Sequence, residues 1–168
     1  MNRFSSFLLA AGFTLTALSA SAGVQVAFLE FYSPEGQLIQ LEPGGRFAHV
    51  AISYRGGWLH SHPFRGVEVI STEALAKMGK ITSVVNIPQL KEIPDATAAR
   101  FLGKPYDAEF SWSDEKVYCS ELIAKIFGLR PEPMHFDPKL WPERYRKLEG
   151  LPGLSPDKVY RRLLDVHL

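Results

Sequence analysis

The stretch Arg46-Phe47-Ala48-His49-Val50-Ala51-Ile52-Ser53-Tyr54-Arg55-Gly56-Gly57-Trp58-Leu59-His60-Ser61-His62 decides the fold. From Arg46 to Tyr54 it alternates as a strand does. Val50, Ile52 and Tyr54 fall on one face, and Phe47, His49, Ala51 and Ser53 on the other. Gly56-Gly57 is a hairpin signal. Trp58 to His62 then returns as a second strand, with Trp58, His60 and His62 sharing a face. Pairing through that turn brings His60 or its neighbour within reach of His49. A mid-strand histidine between Ala48 and Val50 needs a reason: it is a base, a metal ligand or an imidazole satisfied by hydrogen bonds.

Working outward, Val24 to Tyr32 and Leu38 to Leu41 read as strands separated by the turn Ser33-Pro34-Glu35-Gly36, and Pro43-Gly44-Gly45 turns the chain into Arg46. Beyond the hairpin, Gly66 to Ser71 is a strand, Thr72 to Met78 a helix capped by Ser71 or Thr72, and Lys80 to Ile87 a strand. Helices follow at Asp95 to Leu102, ended by Gly103, and at Tyr118 to Phe127, ended by Gly128. Further helices are expected at Pro138 to Leu148 and Ser155 to Leu164. Strands first and helices later predict an α+β fold, an antiparallel sheet or barrel packed against helices. No linker divides residues 23–168, which read as one domain.

Cys119 is the only cysteine, so no internal disulfide is possible, and the thiol is either buried filler or a reactive group. It stands where the helix Tyr118 to Phe127 begins. There the helix dipole favours a thiolate, and the free N–H groups of the first turn can hold an oxyanion. Glu121, in that first turn, reads as a dipole or capping partner. His49, His60 and His62 together form only a weak zinc pattern, and no metal or cofactor is expected.

Residues 1–22 read as a secretory signal peptide: Arg3 gives a positive start, Phe7 to Leu18 an apolar run, and Ala20-Ser21-Ala22 a cleavage site after Ala22. The run is shorter than the ~20 residues of a membrane span, and no later stretch is long and apolar enough to be one. The expected compartment is therefore the periplasm or the exterior. With 19 basic and 18 acidic residues the chain lacks the basic excess of a general nucleic-acid binder.

Arg46-Phe47-Ala48-His49-Val50-Ala51-Ile52 resembles the histidine strand of permuted, NlpC-type, YiiX-like papain-fold enzymes, and Tyr118-Cys119-Ser120-Glu121-Leu122-Ile123 resembles their nucleophile helix. Gly103-Lys104-Pro105-Tyr106-Asp107 with Phe110 is similar to the approach to that helix. Phe136-Asp137-Pro138 and Ser155-Pro156-Asp157 are similar to the tail. The resemblance implies a papain-like core with the histidine strand ahead of the cysteine helix, Cys119 as nucleophile and His49 as general base. It puts the orienting third residue at His60, where many relatives have Glu, with His62 as rival; Tyr118, Tyr106 and His62 are candidates for touching substrate. It implies amide hydrolysis, and the compartment suggests cell-wall stem peptides. A histidine in the third position resembles the acyltransferase branch, which leaves acyl transfer or esterase action open, and a non-catalytic binding module is the third reading.

Overall fold

The computed structural model describes residues 23–136, 138 and 140–165. The expected signal peptide and Asp137 of the tail motif lie outside the described residues. Five strands form one sheet: β1 (Val24–Glu30), β2 (His49–Tyr54), β3 (Gly57–His62), β4 (Gly66–Ile70) and β5 (Lys80–Ile87). Their spatial order is β4-β3-β2-β1-β5 and every neighbouring pair is antiparallel. The sheet is open, so the barrel form of the expectation gives way to a sheet with β4 and β5 at its edges.

Strand periodicity builds a core on each side of this sheet. Val26, Phe28, Val50, Ile52 and Leu59 meet Leu122 and Ile123 of α3 (Cys119–Phe127) and Val159 and Leu163 of α4 (Pro156–Asp165). On the other side Ala27, Leu29, Ala51 and Trp58 meet Leu75 of α1 (Thr72–Met78), whose N-cap Ser71 accepts the Ala74 N–H. Burial of each large apolar side chain contributes about 1.5–3 kcal/mol. A short helix α2 (Asp95–Ala99), a 3-10 helix at Glu143–Leu148 and a small ribbon of β6 (Glu132–Pro133) with β7 (Pro152–Gly153) complete the described elements.

Five expectations of element bounds change. The strand expected from Arg46 starts at His49, so this histidine opens β2 instead of lying mid-strand. The N–H groups of Arg46 and Phe47 donate instead to the Asp157 carboxylate of α4, at 2.9 and 3.2 Å. Second, the hairpin turns at Arg55-Gly56, both at positive φ, and Gly57 is already paired with Tyr54. A Cβ at Gly57 would meet the Ile70 carbonyl at 2.6 Å, which explains that glycine by close strand approach. Third, the expected strand at Leu38 to Leu41 reduces to one bridge between Tyr32 and Leu38. Fourth, the helix expected from Pro138 to Leu148 shrinks to the 3-10 turn after Pro142, a residue that cannot donate inside a helix. The helix at Asp95 likewise stops at Ala99.

Candidate active site

β2 and β3 present two buried imidazoles to each other. His49 Nε2 and His60 Nδ1 lie 2.9 Å apart, with the rings edge to face. The antiparallel register that opposes Ile52 to Leu59 sets this juxtaposition. On the far side of His60 stands Glu68 of β4, its direct register partner, with Oε1 3.3 Å from His60 Nε2. The approach is too bent for a directed hydrogen bond, and Nε2 has no other partner. Arg65 donates to the same carboxylate from Nε, at 2.7 Å, and holds it below the usual carboxylate range.

These contacts favour one arrangement of ring protons. Burial pushes His49 down to about 3, helped by His60, and pushes His60 down to about 4 against the pull of Glu68. Both rings are therefore neutral at pH 7 and carry one proton each. A bare lone pair on His60 Nε2 would be repelled by the Glu68 carboxylate, so the proton sits there. His60 Nδ1 is then an acceptor, His49 Nε2 donates to it, and His49 Nδ1 keeps a free lone pair.

Glu68 is the functional candidate that the sequence reading missed. Its signal was present: strands folded about Pro63-Phe64-Arg65 set His60 opposite Glu68. His62, the rival for the orienting position, turns elsewhere. Its Nδ1 accepts the N–H groups of Phe64 and Arg65 at 3.1 and 3.3 Å, capping the β3–β4 turn.

Cys119 opens α3, as its sequence suggested, but is only 5% exposed. Backbone groups of Val50, Ser120 and Cys119 and the Ser120 side chain favour the thiolate, yet burial outweighs them and pushes the thiol up to about 11. Desolvation at this depth therefore opposes the thiolate that the helix dipole favours. No hydrogen bond joins Cys119 to His49 among the described residues. Glu121 caps the helix by accepting the Tyr118 N–H at 3.2 Å and pairs with Lys125 at 3.0 Å. The Tyr118 hydroxyl accepts the Leu154 N–H at 3.1 Å, so this ring braces the tail strand against α3.

Two cavities meet here. One, of about 410 Å³, holds Cys119, Ser120 and Tyr118 in its wall; the other, of about 250 Å³, holds His49 and His62. Phe31, Ala48 and Tyr106 belong to both walls and mark the junction. The Tyr106 hydroxyl, whose pKa burial and the nearby Cys119 raise, has no hydrogen-bond partner among the described residues. It stays protonated and free to donate.

A family described as permuted papain-like amidase enzyme, YaeF/YiiX, C92 family, matches residues 31–162. The chain belongs to the permuted papain-like amidases. The chain is 29% identical over 122 residues to the uncharacterized protein YiiX of Escherichia coli K12, covering 68% of this chain and 54% of that one. It thus spans about half the length of the curated relative it matches. The crystal structure of a protein described as metalloprotein YiiX, from Escherichia coli O157:H7, superposes with a TM-score of 0.60 at 22% identity. It covers 83% of this chain and 91% of that one, a likeness of fold. The chain's own histidines are engaged with one another, with Glu68 and with the backbone. His49 and His60 spend a nitrogen each on one another, His60 turns its other nitrogen to Glu68, and His62 Nδ1 is occupied by backbone N–H groups. Among the described residues no group of three or more His, Cys, Asp or Glu is placed to hold an ion.

Proposed function

We propose that this permuted papain-like amidase is an exported cysteine hydrolase in which Cys119 attacks an acyl carbonyl, His49 relays the proton and His60 orients His49. The observation that carries the reading is the His49–His60 bond, which occupies His49 Nε2 and leaves Nδ1 over, in a ring that lines the cavity adjoining that of Cys119. Both groups rest neutral, so His49 acts as a base during attack and not as half of a standing ion pair. The Cys119 proton passes to His49 Nδ1 as the S–C bond forms. First-turn N–H groups of α3 and the Tyr106 hydroxyl stabilise the oxyanion. The C–N bond breaks as His49 returns the proton to the leaving nitrogen. Water, deprotonated by His49, then splits the thioester and regenerates the thiol.

Cell-wall stem peptides, the substrate suggested by an exported location, are polar, and the cavity beside Cys119 is walled mainly by apolar side chains. That observation favours the second reading, action on acyl groups of lipid-like character. Export is tested by fractionating cells that express the chain with and without residues 1–22. The shorter form is expected to stay in the cytoplasm, and equal partition of both forms would refute export.

The catalytic reading is tested by brief exposure to activated acyl esters followed by peptide mass mapping. An acyl adduct is expected on Cys119. It should be absent in Cys119→Ala and at least roughly a hundredfold slower to form in His49→Ala. An unmodified Cys119 with every donor would leave a binding module of the same fold.

A further inference from the structure

Glu68 has two opposed tasks at His60. Its charge has to hold the ring proton on Nε2, which leaves Nδ1 as the acceptor that His49 needs. It must not draw a second proton onto the ring. An imidazolium carries N–H on both nitrogens, and an Nδ1–H set 2.9 Å from His49 Nε2 makes that nitrogen give up its own proton or the contact. The His49 proton then moves to Nδ1, onto the lone pair that would receive the Cys119 proton. A carboxylate beside an imidazole is the arrangement that ordinarily favours the imidazolium, and His60 is fully buried against it.

Arg65 stands against that outcome. Its Nε and Nη2 both meet Glu68 Oε1, at 2.7 and 2.6 Å, and Oε1 is the oxygen that lies 3.3 Å from His60 Nε2. The guanidinium draws on charge that His60 would otherwise feel in full, and as a cation it also opposes a second positive charge on that ring. Backbone bonds fix where Arg65 stands. Its N–H and that of Phe64 donate to His62 Nδ1 at 3.3 and 3.1 Å. Past the turn, the Val67 N–H donates to the Lys104 carbonyl at 2.8 Å. Among the described residues, the charged or titratable groups that bear on His60 are His49 from β2, His62 on its own strand, Arg65 from the turn and Glu68 from β4.

We propose that Arg65 is a positioning residue for the base: by sharing Glu68 Oε1 with His60 it keeps His60 singly protonated, and so keeps His49 Nδ1 open to the thiol proton. Arg65 belongs to neither the Cys119 cavity wall nor the His49 cavity wall, and acts through Glu68, His60 and His49 in turn. The inference rests on His49 being the base of the proposed hydrolysis.

The test follows the His60 ring nitrogens by NMR against pH in the purified full chain, beside the rate at which p-nitrophenyl butyrate acylates Cys119. Arg65→Gln should raise both the pH at which His60 takes its second proton and the midpoint of the acid limb of acylation. The Arg65 side chain is half exposed, which holds the expected rise to about one pH unit. Arg65→Lys keeps a cation beside the carboxylate and should cancel most of that rise. The rise should persist in a His62→Asn background, which offers Oδ1 to the turn N–H groups and has no imidazole to titrate. A lower rate at every pH, with the His60 titration and the acid limb both unmoved, would make Arg65 a structural residue and overturn the proposal. A rise that vanishes with His62, or a moved His60 titration beside an unmoved acid limb, would overturn it too. Failure of the ester to acylate Cys119 in the unsubstituted protein at any pH would instead overturn the proposed hydrolysis, and this inference with it.

Discussion

His60 stands between a base candidate and a carboxylate, and its two nitrogens are not interchangeable. Glu68 keeps the proton on Nε2, and that choice leaves His49 Nδ1 bare. Glu68→Gln is nearly isosteric but can present an N–H to His60 Nε2, which favours the opposite tautomer. We expect kcat to fall between about tenfold and a hundredfold, with KM little changed and the pH profile displaced. A parallel loss of melting temperature with an unmoved pH profile would mean that Glu68 is structural. Cys119 gives a second prediction at this scale. With its thiol pushed up to about 11, alkylation by iodoacetamide should be slow at pH 7 and climb by up to about tenfold per pH unit above it. A plateau below pH 7 would reveal a standing thiolate and refute a neutral pair.

At the scale of elements, the start of β2 is set from a distance. Asp157 on α4 takes the N–H groups of Arg46 and Phe47, three and two residues ahead of His49, and so ends the pairing that the sequence pattern would have carried back to Arg46. Asp157→Ala should cost about 1–3 kcal/mol by leaving two N–H groups without their acceptor, measured by urea denaturation. It should also lower activity more than a mutation of equal cost in α1, because it frees the backbone next to His49. Unchanged activity at reduced stability would separate α4 from the site. What was legible in the sequence follows the same division. Alternation and a glycine turn are local signals, so the β2–β3 hairpin and the facing of His49 and His60 could be read directly. The start of α3 at Cys119 was equally local, marked by Gly128 at its end. Glu68 and Asp157 were not read because their roles depend on register across β3–β4 and on contact between residues more than a hundred positions apart. The burial of Cys119 was not legible for a related reason: a helix N-terminus is visible in sequence, but the depth at which it is buried is not. The tail shows a further limit, since the helix expected from Pro138 to Leu148 is cut to a 3-10 turn after Pro142.

The molecule as a whole buries two histidines in a small fold, and that has a consequence for its stability toward acid. Unfolded, both imidazoles take up protons near pH 6.5; folded, they resist until about 3 for His49 and about 4 for His60. Between these values the unfolded chain binds more protons, so folding stability is full above pH 6.5 and is lost as pH falls toward 4. Each histidine contributes up to about 1.4 kcal/mol per pH unit across that window. Glu121 works against this. Burial lifts its carboxyl to about 7 despite Lys125, so the folded state holds a proton that the unfolded state has released, and its contribution weakens as pH rises from the ordinary carboxylate value toward 7. The net slope therefore mixes opposing groups, and the diagnostic quantity is a difference. His49→Gln keeps an N–H to offer His60 Nδ1 but cannot take a proton. Its unfolding free energy should fall less steeply than that of the unsubstituted protein between pH 6.5 and 4, by about 1 kcal/mol per unit. Parallel curves would mean that His49 is not held neutral by burial, and the tautomer order of His49, His60 and Glu68 would have to be abandoned with it.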